Sequence, residues 1–415
     1  MTDLPAAPAP SNLAFSYTGF RFFWFTTLSV SFAVQIMSVS IAWQIYDVTA
    51  NAFLLGLVGL SLFLPALILI LVTGLVADRV NRRLIMAICL AVEFACALGF
   101  LAFVNAEAHE VWPIFLILIA LGTARAFWGP AAQSMAPNLV PPEALSNAIT
   151  VNASAWQFAS IMGPAAGGLL YGIAPSVAFG TGAALIALGM ISVLLIPKLK
   201  QGGGGQATSL DTMLAGFRYI FSNKVVLGAI SLDMFAVLMG GAVALLPIYA
   251  KDILHAGPQE LGFLRAAPGV GAIVMALILT RFPIRDHAGR LLFVFVGLFG
   301  AFTVLFGLST TIWVSVLALA LVGASDMVSV TIRETIMQLW TPEEVRGRVN
   351  AVNSVFIGAS NELGEFRAGT VAHLIGPVPA VVMGGIGSML IAGIWAWQFP
   401  GLRNQRTLDK KMVSG

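Results

Sequence analysis

The chain has 415 residues, of which 58% are hydrophobic and only 10% are charged, and its formal net charge is +3. Soluble domains carry about 25% charged residues, so the composition excludes a soluble globular protein and predicts an integral membrane protein. The basic residues fall in short loops between apolar stretches, which excludes a nucleic-acid-binding surface and indicates membrane topology.

Twelve apolar stretches follow one another along the chain in two sets of six. A helix needs about 20 apolar residues to cross a bilayer. Stretches of this length lie at about 20–46, 53–77, 84–105, 111–136, 148–172 and 176–196, and then at 225–250, 260–281, 290–308, 312–339, 349–375 and 379–399. The pattern predicts an all-α integral membrane fold of twelve transmembrane helices, arranged as two pseudo-symmetric six-helix bundles.

A polar segment separates the two sets. Four consecutive glycines at 202–205 predict a flexible linker, and apolar residues at helical spacing over 210–221 predict a short amphipathic helix on the membrane surface. We therefore expect an N-terminal bundle over 1–196, a linker with the amphipathic helix over 197–223, a C-terminal bundle over 224–402 and a tail over 403–415.

Lysine and arginine are distributed unequally between the two predicted membrane faces. One face receives the arginine-rich turn at 79–83, the linker, the loops near 285–290 and 346–348, and the tail, whereas the other receives essentially only Lys251. Basic residues accumulate in cytoplasmic loops. Both termini are therefore predicted to lie in the cytoplasm.

The two halves also repeat in sequence. The segment PEALSNAI at 142–149 aligns with PEEVRGRV at 342–349, and GPAAGG at 163–168 aligns with GEFRAG at 364–369 after one residue of drift. Weak internal similarity of this kind is typical of transporters built from related bundles, which bind substrate near the midplane between the repeats. We expect the site at the interface of the two halves.

Three short motifs resemble those of the major facilitator superfamily. The turn GLVADRVNRR at 74–83 resembles its signature loop between the second and third helices, with Asn81 in place of a glycine. After Gly, Asn is the residue that best tolerates a left-handed backbone, so this departure from the signature is mild. RAFWG at 125–129 resembles the fourth-helix arginine motif, with Trp128 where Gln is frequent, and GPAAGG at 163–168 resembles the fifth-helix motif of exporters.

Two longer segments, 129–145 and 214–219, resemble the siderophore (enterobactin) exporter-like branch of that superfamily. The resemblance covers nearly the whole chain. It implies the major facilitator fold, with a central cavity lined by the first, fourth, seventh and tenth helices, and secondary transport without a cofactor.

The signature loop is expected to act as a gate. Asp78 can interact with the positive N-terminal end of a neighbouring helix, by about 0.3–1 kcal/mol, and the resemblance implies that this neighbour is the eleventh helix, beginning near Arg348. The arginines can pair with loop acids such as Glu143 when the cytoplasmic side is closed. The alternative is that they only anchor topology. The gating residues predicted here are Gly74, Asp78, Arg79, Arg82 and Arg83.

The fifth-helix motif is predicted to act as a hinge and a seal between the halves. Pro164 lacks an N–H and bends the helix. Gly163 and Gly167, four residues apart, offer a smooth face for close packing, and Gly168 completes the motif. The alternative is plain packing.

Charged residues inside the predicted helices need a reason, because each costs about 2.5–3.5 kcal/mol at the bilayer centre. Arg125 and Asp326 lie near the middle of the fourth and tenth helices, at almost matching repeat positions. They are candidates for cavity residues that bind substrate or couple protons. The alternatives are a salt bridge between the halves, or a partner for each charge within its own bundle. Glu93 on the third helix is expected to be structural, either paired or protonated, and Arg265 is expected to extend toward the outer face.

Glu362 and Glu365 share one face of the eleventh helix. Close carboxyl groups oppose each other's ionisation, so either is a candidate to exchange a proton. The alternative is neutralisation by Arg367 or by Arg333. Asp233 on the seventh helix is a further coupling candidate, or else contacts Lys224 or the amphipathic helix.

The remaining candidate residues are Gln35, the polar residue nearest the centre of the first helix, and Trp128, which suits an aromatic ligand. The sequence lacks the Gly-x-x-x-x-Gly-Lys-[Ser/Thr] loop through which ATP would drive transport, and its four histidines are not clustered as a metal site would require.

The combined patterns predict a transporter and not an enzyme. We expect a secondary active transporter of the bacterial inner membrane that exports a siderophore or a hydrophobic drug-like molecule by alternating access. Its partners are the small-molecule substrate, protons as the coupling ion and the lipid bilayer, with no nucleic acid, and the expected state is a monomer. The alternatives are an importer or uniporter of the same fold and a transport-inactive receptor or scaffold.

Overall fold

The computed structural model describes residues 13–197 and 210–406, and within these ranges it contains helices and turns but no strand. The first half consists of α1 (Thr18–Thr49), α2 (Ala52–Arg79), α3 (Arg82–Asn105), α4 (Trp112–Met135), α5 (Pro142–Ile173) and α6 (Pro175–Leu195). The helix α7 (Leu210–Ser222) follows the undescribed part of the linker.

The second half consists of α8 (Lys224–Gly240), α9 (Leu246–Ile248), α10 (Pro258–Arg281), α11 (Ala288–Leu308), α12 (Ile312–Trp340), α13 (Glu343–Ile375), α14 (Pro377–Gln398) and α15 (Pro400–Arg403). A 3-10 turn, Val243–Leu245, joins α8 to α9, and a π-helical turn, Tyr249–Ile253, follows α9. The seventh predicted span, 225–250, is therefore a broken helix.

Ten segments of the described residues are long and apolar enough to cross a membrane. The other two predicted spans are α5 and α13, whose 32 and 33 residues also exceed the roughly 20 that a bilayer requires. Each of them contacts both halves: α5 packs on α1 and α10, and α13 packs on α2 and α8. The predicted all-α membrane fold is confirmed.

Each half forms its own bundle. In the first, α1 packs on α5 and α6, α2 packs on α4, and α3 packs on α4 and α6. In the second, α10 packs on α12, α11 packs on α12 and α14, and α8 packs on α14. The main contacts between the bundles are α2 with α13 and α5 with α10.

Two names identify the ends of the molecule below. The basic end carries the turns between α2 and α3, α4 and α5, α10 and α11, and α12 and α13. The opposite end carries the turns between α1 and α2, α3 and α4, α5 and α6, α11 and α12, and α13 and α14.

The repeated Pro-Glu segment is the start of a helix in each half. Helix α5 begins at Pro142 with Glu143 in its first turn, and α13 begins at Glu343 immediately after Pro342. Proline fits the first turn because it lacks an N–H, and glutamate there is favoured by the helix dipole. Both helices therefore start six residues earlier than hydropathy suggested.

The amphipathic helix α7 packs on the second bundle. Ile220 is fully buried against Val349 and Val352 of α13, and the rings of Phe217 and Phe356 meet edge to face at 5.6 Å. The apolar side of α7 is thus partly covered by the second bundle.

Candidate functional site

Two crossings of glycine residues hold the halves together near the opposite end. A Cβ built on Gly369 of α13 would lie 2.8 Å from the Cα of Gly56 on α2. A Cβ built on Gly168 of α5 would lie 2.9 Å from the Cα of Gly262 on α10. Backbones come this close only where side chains are absent. We call these contacts the two glycine crossings.

Polar contacts join the halves beside the crossings. The Nζ atom of Lys251 lies 2.5 Å from Oδ1 of Asp47, and the hydroxyl of Tyr46 donates a hydrogen bond to the carboxylate of Asp252. Both partners of the ion pair are more than a third exposed, so it contributes little by itself. The crossings and these contacts close the opposite end.

The halves separate toward the basic end. There α2, α4 and α13 surround a cavity of about 240 Å³ lined by Phe63, Pro130 and Gly358 among others. A Cβ built on Gly358 would have only the ring of Phe63 near it, at 3.7 Å, and one built on Gly347 would meet nothing within 4 Å. On this side the two bundles therefore line a cavity and do not meet backbone to backbone as they do at the opposite end.

A cavity of about 310 Å³ lies directly inside the crossings and is formed by both halves. Its polar lining consists of Gln35, Ser38, Arg125, Ser160, Arg265, Glu362 and Glu365. Helices α1, α2, α4 and α5 contribute from the first half, and α10, α13 and the turn after α8 contribute from the second.

Three of the four charged residues of the cavity, Arg265, Glu362 and Glu365, lie one or two helical turns from the crossings. Arg265 is three residues beyond Gly262, and Glu365 is four residues before Gly369. On α2, which crosses α13 at Gly56, a Cβ built on Gly59 would lie 2.5 Å from Oε2 of Glu362. Any movement that opens a crossing therefore moves these charges.

The four charged groups interact without forming a closed set of ion pairs. Arg265 donates a 2.7 Å hydrogen bond to Oγ of Ser38 on α1, which links the halves. Glu362 lies within electrostatic range of Arg125, Arg265 and Glu365. No ion pair within 4 Å joins these residues in the described ranges. The two carboxyl groups are thus available to bind a proton, and the two guanidinium groups are available to bind a substrate.

Arg367 supports the break in the seventh span. Its Nε donates a 2.9 Å hydrogen bond to the carbonyl of Leu238, and an Nη atom donates to the carbonyl of Met239. These carbonyls belong to the last turn of α8, where intrahelical partners are missing and a positive charge is favoured. Arg367 therefore caps α8 from α13 and does not neutralise Glu362 or Glu365.

Asp233 forms a buried ion pair with Arg333 of α12, and their side chains are 11% and 4% exposed. The expected contact of Asp233 with Lys224 or the amphipathic helix was wrong, as was the use of Arg333 to neutralise the α13 acids. A buried pair inside one bundle holds α8 to α12.

Two other predicted residues lie outside the cavity. Asp326 is half-buried on α12, is not among the lining residues, and forms no ion pair with Arg125 in the described parts of the chain. Trp128 is half-buried and packs against the apolar core of its bundle. Gln35 and Arg125 do line the cavity, as predicted for them.

Comparison with known proteins now bears on this geometry. A model of the family described as transmembrane secretion effector, part of the major facilitator superfamily, matches residues 10–412. The chain belongs to this family. It is therefore a multi-pass membrane transporter rather than an enzyme, and its substrate is a small molecule.

Relatives and structures of known proteins agree with that assignment. The chain is 28% identical to the enterobactin exporter EntS of Shigella boydii serotype 4 over 86% of each chain. It is 27% identical to EntS of Escherichia coli strain SMS-3-5 over 93% of this chain and 91% of that one.

The fold also matches solved major facilitator structures. A bacterial homologue of the human lysosomal transporter Spinster, inward-facing and unoccupied, has a TM-score of 0.70 at 15% identity, covering 96% of this chain and 97% of that one. The nucleoside transporter NupG has a TM-score of 0.72 at 14% identity, covering 92% and 100%.

The major facilitator signature loop makes contacts within the first bundle. Arg82 donates a 3.1 Å hydrogen bond to the carbonyl of Ser134, and Arg83 donates to the carbonyl of Leu194. Arg79 is exposed, Gly74 is half-buried, and the side chain of Asp78 lies outside the described part. Pairing of the arginines with Glu143, and the contact of Asp78 with α13, stay predictions.

The backbone at Asn81 is not left-handed. Its φ is −58°, and its side chain caps α3 by accepting hydrogen bonds from the N–H groups of Arg83 and Leu84 at 3.0 and 3.4 Å. The residue serves as an N-cap, so no left-handed backbone is needed. The eleventh predicted helix also starts at Glu343 and not near Arg348.

The glycines of the fifth-helix motif contact two different helices, α1 and α10. Cβ atoms built on Gly163 and Gly167 would lie 2.5 Å from Cβ of Gln35 and 2.9 Å from Cα of Ile36, both on α1 of the same bundle. Gly168, Ala165 and the carbonyl of Pro164 lie against Gly262 of α10 across the interface. The contact between the halves thus involves these three residues of the motif, whereas Gly163 and Gly167 pack within the first bundle.

Sequence reasoning missed Arg265 as a cavity residue, having placed it near the outer face. The repeat contained the signal. The spacing from Gly56 to Gly59 in α2 equals that from Gly262 to Arg265 in α10, and both first glycines lie in crossings. If the two crossings are aligned, Arg265 is the repeat equivalent of Gly59, which borders the cavity.

Proposed function

We propose that the protein is a secondary active transporter that exports a small molecule across the bacterial inner membrane, as a monomer, by alternating access in exchange for protons. One observation carries the proposal. Glu362, Glu365, Arg125 and Arg265 lie together in a cavity made by both halves, directly inside the contacts that close one end.

The orientation follows from charge. The basic end carries Arg79, Arg82 and Arg83 in a short turn, and such turns lie on the cytoplasmic side. With the basic end in the cytoplasm, both termini are cytoplasmic and the cavity faces the cytoplasm. Its route to the outer side is blocked by the glycine crossings.

Alternating access would expose the same carboxyl groups to each side in turn. In the present arrangement Gly59 covers Glu362 from the outer side. If α2 and α13 separate at Gly56 and Gly369, this cover is removed and the carboxyl groups face outward. A proton taken from the outer side could then be carried inward and released to the cytoplasm as substrate binds.

The arginines suit a ligand rich in oxygen. A guanidinium group donates several hydrogen bonds in one plane and prefers carboxylate, phosphate and similar oxygens. Arg125 and Arg265 lie on different bundles, so a ligand held by both would be gripped across the interface. Because the relatives are named enterobactin exporters, enterobactin is the first substrate to test, ahead of hydrophobic drugs.

Everted membrane vesicles that contain the protein test the proposal with radiolabelled, iron-free enterobactin. We expect uptake when the vesicle interior is acidified, loss of that uptake with an uncoupler, and loss in Glu362→Gln and Glu365→Gln. Vesicles with Gly180→Ala serve as the control, because a Cβ there meets nothing within 4 Å. Uptake insensitive to the uncoupler would refute proton exchange, and uptake only by right-side-out vesicles would indicate import.

A further inference from the structure

A carboxyl group outside the cavity is buried behind Arg125. Glu93 on α3 is 1% exposed, and its Oε2 atom is buried without a hydrogen-bond partner in the described residues. Charged side chains buried in this way are costly unless a partner compensates them. Glu93 was expected to be structural, yet no structural contact of that oxygen accounts for it.

The elements around Glu93 offer a single charged partner. Helix α3 packs on α4 and α6. Helix α6 contains no ionisable residue, and α4 contains only Arg125. On its own helix, the nearby titratable groups are the thiols of Cys89 and Cys96.

The helix register brings Glu93 and Arg125 to the same depth. Glu93 lies twelve residues before the end of α3, and Arg125 lies thirteen residues after the start of the antiparallel α4. At 1.5 Å per residue, both are about 18–20 Å from the connecting loop. The two groups interact electrostatically.

Arg125 therefore stands between carboxyl groups on two different bundles. Glu362 faces it across the cavity and Glu93 lies behind it, and it forms a close ion pair with neither in the described ranges. Its Nε atom is buried without a partner there as well. The distance to Glu93 is fixed inside one bundle, whereas the distance to Glu362 changes when the bundles move.

The other charged groups around Glu362 do not alter the competition between Glu93 and Glu362 for Arg125. It faces Glu365 on its own helix and Arg265 on α10. Helix α14 contains no ionisable residue, α2 has charges only at its basic end, and Asp233 of α8 is paired with Arg333.

We infer that Glu93 is a positioning residue for proton coupling, which competes with Glu362 for Arg125. When the bundles separate around the cavity, Arg125 interacts mainly with Glu93, and Glu362 is free to bind a proton. When the bundles approach, Glu362 shares Arg125 and releases the proton. This inference rests on the transport function proposed above.

The first test measures how enterobactin uptake by everted vesicles depends on pH. Removing the competing charge in Glu93→Gln leaves Arg125 to Glu362, so the pH of half-maximal uptake should fall by about one unit, the size of a Coulomb effect at this range. Cys89→Ser, one turn away on the same buried helix face, should keep the parental midpoint. A lower rate at every pH with an unchanged midpoint would show that Glu93 is only structural and would overturn the inference.

The second test needs no substrate. Infrared spectra of the purified protein in lipid nanodiscs are recorded through a pH titration, and the carboxyl band that disappears in Glu362→Gln is assigned to Glu362. Its midpoint should fall in Glu93→Gln, and fall less in Glu93→Asp, which keeps the charge but withdraws it from Arg125. An unchanged midpoint in both variants would reject the inference. If parental vesicles transport no enterobactin, the proposed function fails, while this titration still decides the role of Glu93.

Discussion

Adding one methyl group at Gly168 should open the outer end of the protein. In Gly168→Ala the new Cβ would lie 2.3 Å from the carbonyl oxygen of Pro258 and 2.9 Å from Cα of Gly262. A carbon atom needs at least 3.0 Å, so α5 and α10 must move apart by 0.7 Å or more. Both obstacles are backbone atoms, which cannot rotate away.

The magnitude follows from the cost of overpacking. Inserting a methyl group into a filled contact costs about 1–3 kcal/mol, and here the cost applies only while the crossing is closed. The ratio of outward-open to outward-closed protein should therefore rise about 5- to 150-fold. Alanine also favours a helix over glycine by about 1 kcal/mol, but in both conformations.

Electron spin resonance between labelled cysteines can measure this ratio. Glu110 and Thr310 are exposed in turns at the opposite end, one on each bundle. Labels placed there on a background lacking Cys89 and Cys96 should report a growing population of longer distances in Gly168→Ala.

The control is Gly180→Ala, which makes the same substitution where the Cβ meets nothing. Equal distance distributions in the two variants would refute the idea that the glycine crossing sets the closed state.

Three further predictions concern the second bundle and the outer contacts. Asp233→Ala should lower the free energy of unfolding in detergent by about 3–5 kcal/mol, because Arg333 is left buried and unpaired, and adding Arg333→Leu should restore most of it. Arg367→Met should remove two charge-assisted hydrogen bonds worth about 1.5–3 kcal/mol each, seen as faster amide exchange near Leu238, and Arg367→Lys should retain part of this contribution. Lys251→Gln should change the free-energy difference between the outward-open and outward-closed conformations, as read from the spin-label distances, by less than about 1 kcal/mol, since the pair with Asp47 is exposed. At about 1 M salt the variant and the parent should give the same distances.

Much of the architecture was predictable because a run of about 20 apolar residues is what a helix needs to cross the membrane. The twelve spans and the all-α fold followed from the length of apolar stretches. The broken seventh span did not, because hydropathy averages composition and contains no information on the backbone near Gly241. The capping of that break by Arg367 depends on a contact between residues over a hundred positions apart, which no local pattern encodes.

The site was predictable in part. Glu362, Glu365, Arg125 and Gln35 were found because charged or polar residues are rare in apolar helices. Which of them share a cavity depends on helix rotation, and a one-residue change rotates a side chain by about 100°. Arg265 was therefore expected to extend toward the outer face, whereas it lines the cavity. Asp326 was expected in the cavity or paired with Arg125, and among the described residues it is in neither position.

The glycine crossings show how a duplicated contact can acquire two functions. The repeat relates Gly56 and Gly59 to Gly262 and Arg265, and Pro164 and Gly168 to Glu365 and Gly369. The glycines that allow the close contact occur in both copies, whereas the two acids and Arg265 occur only in the second bundle. The first bundle presents neutral partners to these charges, so a chimera carrying two copies of the first bundle's crossing helices should still close at the outer end, but with no proton-binding acid at the crossings.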